Sequence, residues 1–116
     1  MDEAKEATRK MFYKNPPDAV FVANDHMAFA VMDTLRFELG FEIPKDVSIV
    51  GYDDVPASAW PAYNLTTVQQ PVQLMVKETV EILINKIEDS ECEPKRVKID
   101  GSLVIRGSAR LPKEWK

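Results

Sequence analysis

Two short apolar runs, each followed at once by polar residues, constrain most strongly what this chain can fold into. Residues 19–23 read AVFVA and residues 47–51 read VSIVG. Runs of this length, rich in β-branched residues, are typical of strands buried in a parallel sheet. Between them, residues 26–39 repeat apolar side chains at helical spacing, and Gly40 follows as a natural terminator. Strand, helix and strand in this order predict an α/β fold with a doubly wound, mainly parallel sheet.

The rest of the chain continues this alternation. The further predicted elements are helices over 2–14 and 71–89, a short strand over 65–68, and a hairpin with strands over 96–99 and 103–106. The pair Asp100-Gly101 is typical of the tight turn that such a hairpin needs. The predicted order is therefore helix, strand, helix, strand, loop, short strand, helix and hairpin.

The composition suits one globular domain or part of one. Of the 116 residues, 45% are hydrophobic and 29% are charged, and the net charge is -4. A free-standing DNA-binding domain usually carries a basic face, so direct binding of this chain to DNA is not expected. The single cysteine, Cys92, cannot form an intramolecular disulfide, which fits a reducing cytosol. We expect no secretory signal and no membrane span, because no apolar run approaches the ~20 residues that a span requires.

Polar residues that could bind a ligand follow both predicted strands. Asn24-Asp25 comes directly after AVFVA, and Tyr52-Asp53-Asp54 comes directly after VSIVG. In open α/β sheets, ligands bind beyond the carboxyl ends of the strands. Amide and carboxylate groups can hydrogen-bond the hydroxyls of a sugar or a nucleoside. The sequence therefore predicts a polar ligand site at this edge of the sheet.

Aromatic residues could line the same site. Tyr52, Trp60 and Tyr63 could form a flat apolar wall beside the polar groups. On a neighbouring face of the helix over 26–39, Phe29 and Met32 could meet a partner chain.

Each of these residues also has a simpler interpretation. Asn24 or Asp25 could act only as a helix cap, and Asp53-Asp54 could be turn residues. Trp60 could merely cover the core. The only histidine, His26, lies near a predicted helix start, where a lone histidine is more often a surface residue than a ligand or a base.

Motifs for catalysis are absent or weak. The sequence has no GxSxG, no HExxH, no glycine-rich phosphate loop and no paired cysteines. Asp53-Asp54 could in principle hold a magnesium ion in a small hydrolase or phosphotransfer domain. That function would need a further acidic residue and a lysine at the same edge, and nothing places Lys45 or Lys77 there. We therefore expect no catalytic residue, no metal and no cofactor.

Three ordered stretches resemble the lactose/galactose-repressor family of transcription regulators. They run from Pro17 to Pro56, from Asn64 to Pro71 and from Leu103 to Ala109, and they contain DVSIVGYDD, LTTVQQP and LVIRGSA. The resemblance covers about residues 17–109 and extends over several motifs at the family's spacing.

The resemblance implies a fold like that of periplasmic sugar-binding proteins, with two lobes and a ligand in the cleft between them. This chain resembles only the last third of such a repressor, without its helix-turn-helix domain and most of its N-terminal lobe. Residues 1–70 and 90–110 would belong to the C-terminal lobe, and helix 71–89 would belong to the N-terminal lobe.

The same resemblance implies roles for individual residues. Asn24 and Asp53 match ligand contacts, Trp60 would be a further ligand contact from a loop whose sequence varies across the family, and Asp25 and Tyr52 would support the site. Phe29, Met32 and Tyr63 would lie on the surface where two copies pair.

The expected function is the ligand-sensing and dimerisation part of a cytoplasmic repressor. Its partners would be a small effector, in particular a sugar, a second copy of the chain, and DNA through the missing domain only. The alternative is a fragment of a periplasmic sugar-binding protein for transport, which shares the fold but resembles these motifs less well.

Overall fold

The computed structural model describes residues 1–91 and 93–115. The prediction about Cys92 therefore lies outside the described residues. The chain forms two compact units, the first made of residues 1–69 and 103–116 and the second of residues 70–102. Within the described residues no helix is long and apolar enough to cross a membrane.

A four-stranded sheet in the order β1-β2-β3-β4 organises the fold. The strands are β1 (Ala19–Phe21), β2 (Ser48–Asp53), β3 (Thr66–Gln69) and β4 (Ser102–Val104), and the helices are α1 (Asp2–Met11), α2 (Asp25–Asp33) and α3 (Val72–Glu88). Strands β1, β2 and β3 are parallel, with Phe21 opposite Val50 and Gly51 opposite Thr67. The predicted fold class, a mainly parallel sheet with helices, is confirmed.

The core of the first unit lies between the sheet and α2. Met32, Leu35, Ile49 and Leu65 have no exposed surface. The helical spacing over 26–39 is thus confirmed, although the last turn, Thr34–Glu38, winds as a π-helix. Phe12, just after α1, closes the core by packing edge-on against Phe41, with ring centroids 5.2 Å apart. Because these apolar side chains interlock, the strand ends that follow are held on a rigid support.

The predicted hairpin over 96–106 is wrong. Residues 93–101 have no regular secondary structure, and only Ser102–Val104 is a strand. That strand adds to the sheet beside β3. The alternating pattern was real, but a pattern does not specify which strand is the partner. In this structure β4 hydrogen-bonds to β3 and not to a strand over residues 96–99.

Helix α3 dominates the second unit and buries none of its residues. Its apolar side chains point into open space: Ile87 is 81% exposed, Val72 61% and Leu83 56%. Isolated helices gain most of their stability in proteins by packing an apolar face. The second unit therefore presents an apolar helical surface without a cover among the described residues.

Candidate functional site

The turn between β1 and α2 carries the first predicted pair. Asn24 has an extended backbone, and its side-chain oxygen accepts a hydrogen bond of 2.9 Å from the Met27 amide. Asn24 is therefore the N-cap of α2. The cap uses only the oxygen of the amide group, so the NH₂ group of this half-buried side chain can donate to a ligand.

Asp25 is fully buried and ties three segments together. Its Oδ2 accepts from the Ser58 hydroxyl at 2.5 Å and from the Val55 amide at 3.1 Å, and its Oδ1 accepts from the Thr67 hydroxyl at 2.7 Å. A Cβ atom on Gly51 would lie 2.3 Å from Oδ1, so glycine is required there. Asp25 thus holds the start of α2 against the loop after β2 and against β3.

The second predicted cluster lies at the carboxyl end of β2. Tyr52 is 36% exposed, and Asp53 pairs with Gln69 in the sheet. Asp53 and Asp54 both have positive φ values, 129° and 60°. Residues other than glycine rarely adopt this region, and such strain tends to concentrate at functional sites.

Each carboxylate oxygen of Asp54 is bound by a different side chain. Its Oδ1 receives Nη2 of Arg106 at 2.8 Å, and its Oδ2 accepts from Nε2 of Gln69 at 3.0 Å. Within residues 1–91 and 93–115, no cluster of three or more His, Cys, Asp or Glu side chains could hold a metal. The cation beside Asp54 in this structure is the guanidinium of Arg106.

A short 3-10 helix, Pro56–Ala59, presents the aromatic residues. Ser58 anchors it through Asp25, and Trp60 follows with 58% of its surface exposed. Trp60 therefore does not cover the core in this structure. Tyr63 instead stacks on Phe29, with centroids 4.2 Å apart and planes at 23°.

Tyr63 is also tied to α2 by a hydrogen bond. Its hydroxyl donates to Asp33 at 3.2 Å. Burial, and after it the charge of Asp33, raises the pKa of Tyr63 above its ordinary value. Phe29 and Tyr63 thus form a packed aromatic pair at the edge of the core, in which Phe29 is buried, with 9% of its surface exposed, and Tyr63 is partly buried.

One predicted contact with a partner chain is not available in this structure. Met32 is completely buried in the core between α2 and the sheet. The helical spacing predicts a neighbouring face for Met32, but the apolar stripe of α2 is wide enough to include it. Met32 is therefore removed from the candidate dimer contacts.

Four residues that shape this edge of the sheet were missed from the sequence. Ser58, Thr67, Gln69 and Arg106 hold Asp25 and Asp54 in place. Thr67, Gln69 and Arg106 belong to motifs that the sequence singled out, LTTVQQP and LVIRGSA. The motifs pointed to these residues, but only the fold shows that they meet the two aspartates.

Comparisons with known proteins show which family the chain belongs to. Residues 1–109 match the model of the periplasmic binding protein-like domain. The relative "HTH-type transcriptional repressor PurR" of Vibrio vulnificus (strain CMCP6) is 35% identical over 98 residues, which is 84% of this chain and 29% of the relative. This chain thus spans about a third of the length of the curated relatives that it matches.

Two solved structures extend the likeness to three dimensions. The complex of the transcriptional regulator CelR with cellobiose has a TM-score of 0.85 and 35% identity, covering 93% of this chain and 33% of that protein. The lac repressor dimer bound to operator and the anti-inducer ONPF has a TM-score of 0.80 and 30% identity, covering 91% of this chain and 37% of that protein.

Proposed function

The chain belongs to the family of periplasmic-binding-protein-like domains, and from this premise we propose that it is the C-terminal part of the effector-binding and dimerisation domain of a LacI-type transcriptional repressor. The relatives named above are transcriptional repressors and regulators, which favours this function over a fragment of a transport protein. The proposed role is binding, without catalysis. Since such a repressor acts on DNA, the proposed location is the cytoplasm.

The observation that carries the proposal is the meeting of two polar turns at one edge of the sheet. Strands β1 and β2 are parallel, with Phe21 opposite Val50, so Asn24 and Asp53 lie the same number of residues beyond this paired position. Asp25 contacts the loop after β2 directly. The amide NH₂ of Asn24 and the carboxylate of Asp53 would bind the hydroxyls of a sugar, with Trp60 and Tyr52 beside them.

The proposed division into lobes matches the two compact units only in part, because residues 70 and 90–102 fall in the second unit together with α3. We propose that residues 1–70 and 90–110 belong to the C-terminal lobe and that helix 71–89 belongs to the N-terminal lobe of the whole protein. The exposure of most apolar residues of α3, none of which is buried, supports this assignment, because that face would be covered by the rest of its own lobe.

We propose that the dimer surface includes Tyr63, which is partly buried; Phe29 lies in the core beneath it and supports it, so the expected direct contact of Phe29 with a partner is not available in this structure. In the full protein, binding of a small effector would shift the population between two arrangements of the DNA-binding domains. DNA would be contacted only through the missing N-terminal domain.

Isothermal titration of the full-length protein with cellobiose, sucrose and ribose tests the ligand site. Asn24→Asp keeps the oxygen that caps α2 and removes the NH₂ donor, and Asp53→Asn keeps the shape of the side chain and removes its charge. Each is expected to weaken binding by roughly tenfold to a hundredfold, the usual effect of losing a hydrogen bond to a charged or buried group. Asn15→Asp and Asp18→Asn, at exposed positions far from this edge, are the matched controls.

The binding measurements distinguish three outcomes. Weaker binding in the two site variants, with unchanged binding in the controls, supports the proposal. Binding of all variants with the affinity of the wild type would place the ligand elsewhere, and no binding of any sugar by the wild type would refute the sugar assignment.

A further inference from the structure

The closing motif Arg106-Gly107-Ser108 makes contacts that ligand binding by Asn24 and Asp53 does not require. The Ser108 hydroxyl is buried, donates to the Ile49 carbonyl at 2.6 Å and accepts from the Thr66 amide at 2.8 Å. A Cβ atom on Gly107 would lie 2.4 Å from the Asn64 side chain. The motif is therefore fixed against both β2 and β3, which gives Arg106 a firm base.

Arg106 uses three separate groups to bind the sheet edge. Its amide donates to the Thr66 hydroxyl at 2.9 Å, and its Nη1 donates to the Leu65 carbonyl at 2.9 Å. Its Nη2 forms the ion pair with Asp54. The two side chains of this pair are only 18% and 10% exposed, so water and salt screen the pair less than a surface pair.

Within the first unit, Asp54 contacts one residue from each of the two stretches that flank residues 70–102 along the chain. Gln69, which donates to Asp54 Oδ2, is the last residue of the first unit before the chain leaves it. Arg106, which pairs with Oδ1, stands just after Leu103, where the chain returns. One carboxylate thus holds both connecting segments.

The same carboxylate stabilises an unfavourable backbone. Asp53 and Asp54 both have positive φ, a conformation that persists only where surrounding contacts hold it. The contacts of Asp54 with Arg106 and Gln69 supply such support. Without them the turn could relax toward ordinary φ values, and the Asp53 side chain would move with it.

We propose that Asp54 is a positioning residue that holds Asp53 in its binding orientation and couples it to both connecting segments. This inference rests on the proposed function, in which Asp53 contacts the ligand. Its consequence is that a change at Asp53 on ligand binding is transmitted through one ion pair and one amide to the segments at 69–72 and 102–106.

Hydrogen–deuterium exchange of the full-length protein, followed by mass spectrometry, tests the coupling. The variants are Asp54→Asn and Arg106→Gln, with Arg106→Lys as the conservative replacement that restores the charge. Arg110→Gln is the matched control, because Arg110 binds Ser48 and the Asp18 carbonyl instead. Without ligand, Asp54→Asn and Arg106→Gln should each speed exchange by roughly tenfold in both connecting segments. Arg106→Lys should recover part of the protection, and Arg110→Gln should leave both segments unchanged.

Titration of the same variants with cellobiose, sucrose and ribose gives the second readout. Asp54→Asn and Arg106→Gln should weaken binding by roughly tenfold at temperatures far below unfolding, which a purely structural role would not do. Faster exchange confined to the segment that carries the substitution would overturn the coupling. If Asp53→Asn abolished binding while Asp54→Asn and Arg106→Gln bound normally, the positioning role would fall and the proposed function would stand. If both segments opened as expected but no sugar bound the wild type, the sugar assignment would fall and the coupling would stand.

Discussion

Replacing Asp25 tests how the edge of the sheet is built. The Asp25 carboxylate has no exposed surface and accepts hydrogen bonds from two hydroxyls and one backbone amide. These donors come from three different segments, the loop at Val55, the 3-10 helix at Ser58 and strand β3 at Thr67. Removing the carboxylate therefore leaves three buried donors without their acceptor.

The expected loss of stability follows from these contacts. Each buried donor left unpaired costs about 1–3 kcal/mol. Hydroxyl groups can rotate toward other acceptors, but the Val55 amide cannot, so we expect Asp25→Ala to lower the free energy of unfolding by roughly 3–5 kcal/mol. Asp25→Asn keeps one oxygen, which can still accept from Ser58 and Val55. Its new NH₂ group would face the Thr67 hydroxyl oxygen, which can accept, so we expect a loss of only about 1–2 kcal/mol.

Urea unfolding followed by far-ultraviolet circular dichroism measures both losses, provided the slope with denaturant stays constant. Asp18→Ala, at an exposed position, is the control and should change the free energy of unfolding by less than about 0.5 kcal/mol. A loss below about 1 kcal/mol for Asp25→Ala would refute the reasoning, since three orphaned donors cannot cost so little. Equal losses for Asp25→Ala and Asp25→Asn would show that charge, and not the number of accepted bonds, determines the effect.

Three further predictions concern other parts of the chain. Because burial and then Asp33 raise the pKa of Tyr63, its contribution to stability is fully present below the pKa of the unfolded phenol and is lost as pH rises through the folded value. Alkaline urea titrations should show this loss in the wild type and in the exposed control Tyr13→Phe but not in Tyr63→Phe. The hydrogen bond from Arg9, and then the charge of Arg9, lower the pKa of Glu38 in the folded chain. The contribution of Glu38 to stability is therefore present above the pKa of the unfolded chain and is lost as the pH falls through the pKa of the folded chain. Glu38→Gln should therefore lower the free energy of unfolding near neutral pH, and high salt should reduce this effect. The control Glu6→Gln should have a smaller effect, because the pair of Glu6 with Lys10 is longer, at 3.6 Å. Because the apolar face of α3 is exposed in the chain on its own, we expect the isolated chain to associate with itself through this face. Ile87→Asp should then lower its mass measured by light scattering, and an unchanged mass would show that α3 is not the associating surface.

Much of the fold could be predicted because its signals are local. The runs AVFVA and VSIVG both form strands of the parallel sheet, and α2 shows its apolar stripe over a few turns. The expected burial of the first run is wrong for β1, in which Val20 is partly buried and Phe21 is 63% exposed, whereas β2 is mostly buried. The hairpin failed because strand pairing is a choice between partners distant in sequence. Residues 96–99 alternate as a strand would, yet β4 pairs next to β3, some thirty-five residues away.

The candidate site was predicted in outline for the same reason. A strand that ends in Asn24-Asp25 and another that ends in Tyr52-Asp53-Asp54 show from the sequence alone that polar groups meet at one edge. The sequence could not show which member of each pair is engaged, because that depends on Thr67 and Arg106, which are 42 and 52 residues further along. Burial of Met32 was missed since the width of an apolar stripe depends on how closely the helix lies on the sheet.

In each of the two polar turns, one residue makes the structural contacts and holds its neighbour in place. In the first, Asp25 is wholly taken up by Ser58, Thr67 and Val55, while Asn24 spends only its oxygen on the helix cap. In the second, Asp54 is taken up by Arg106 and Gln69, while its neighbour Asp53 ends the strand. A flexible polar group loses much of its binding energy to the cost of ordering it. One residue of each pair fixes the backbone, and its neighbour is thereby ordered before any ligand arrives. Under the proposed function, in which Asn24 and Asp53 contact the ligand, conservative changes at Asp25 and Asp54 should therefore reduce ligand affinity even though neither residue need touch the ligand.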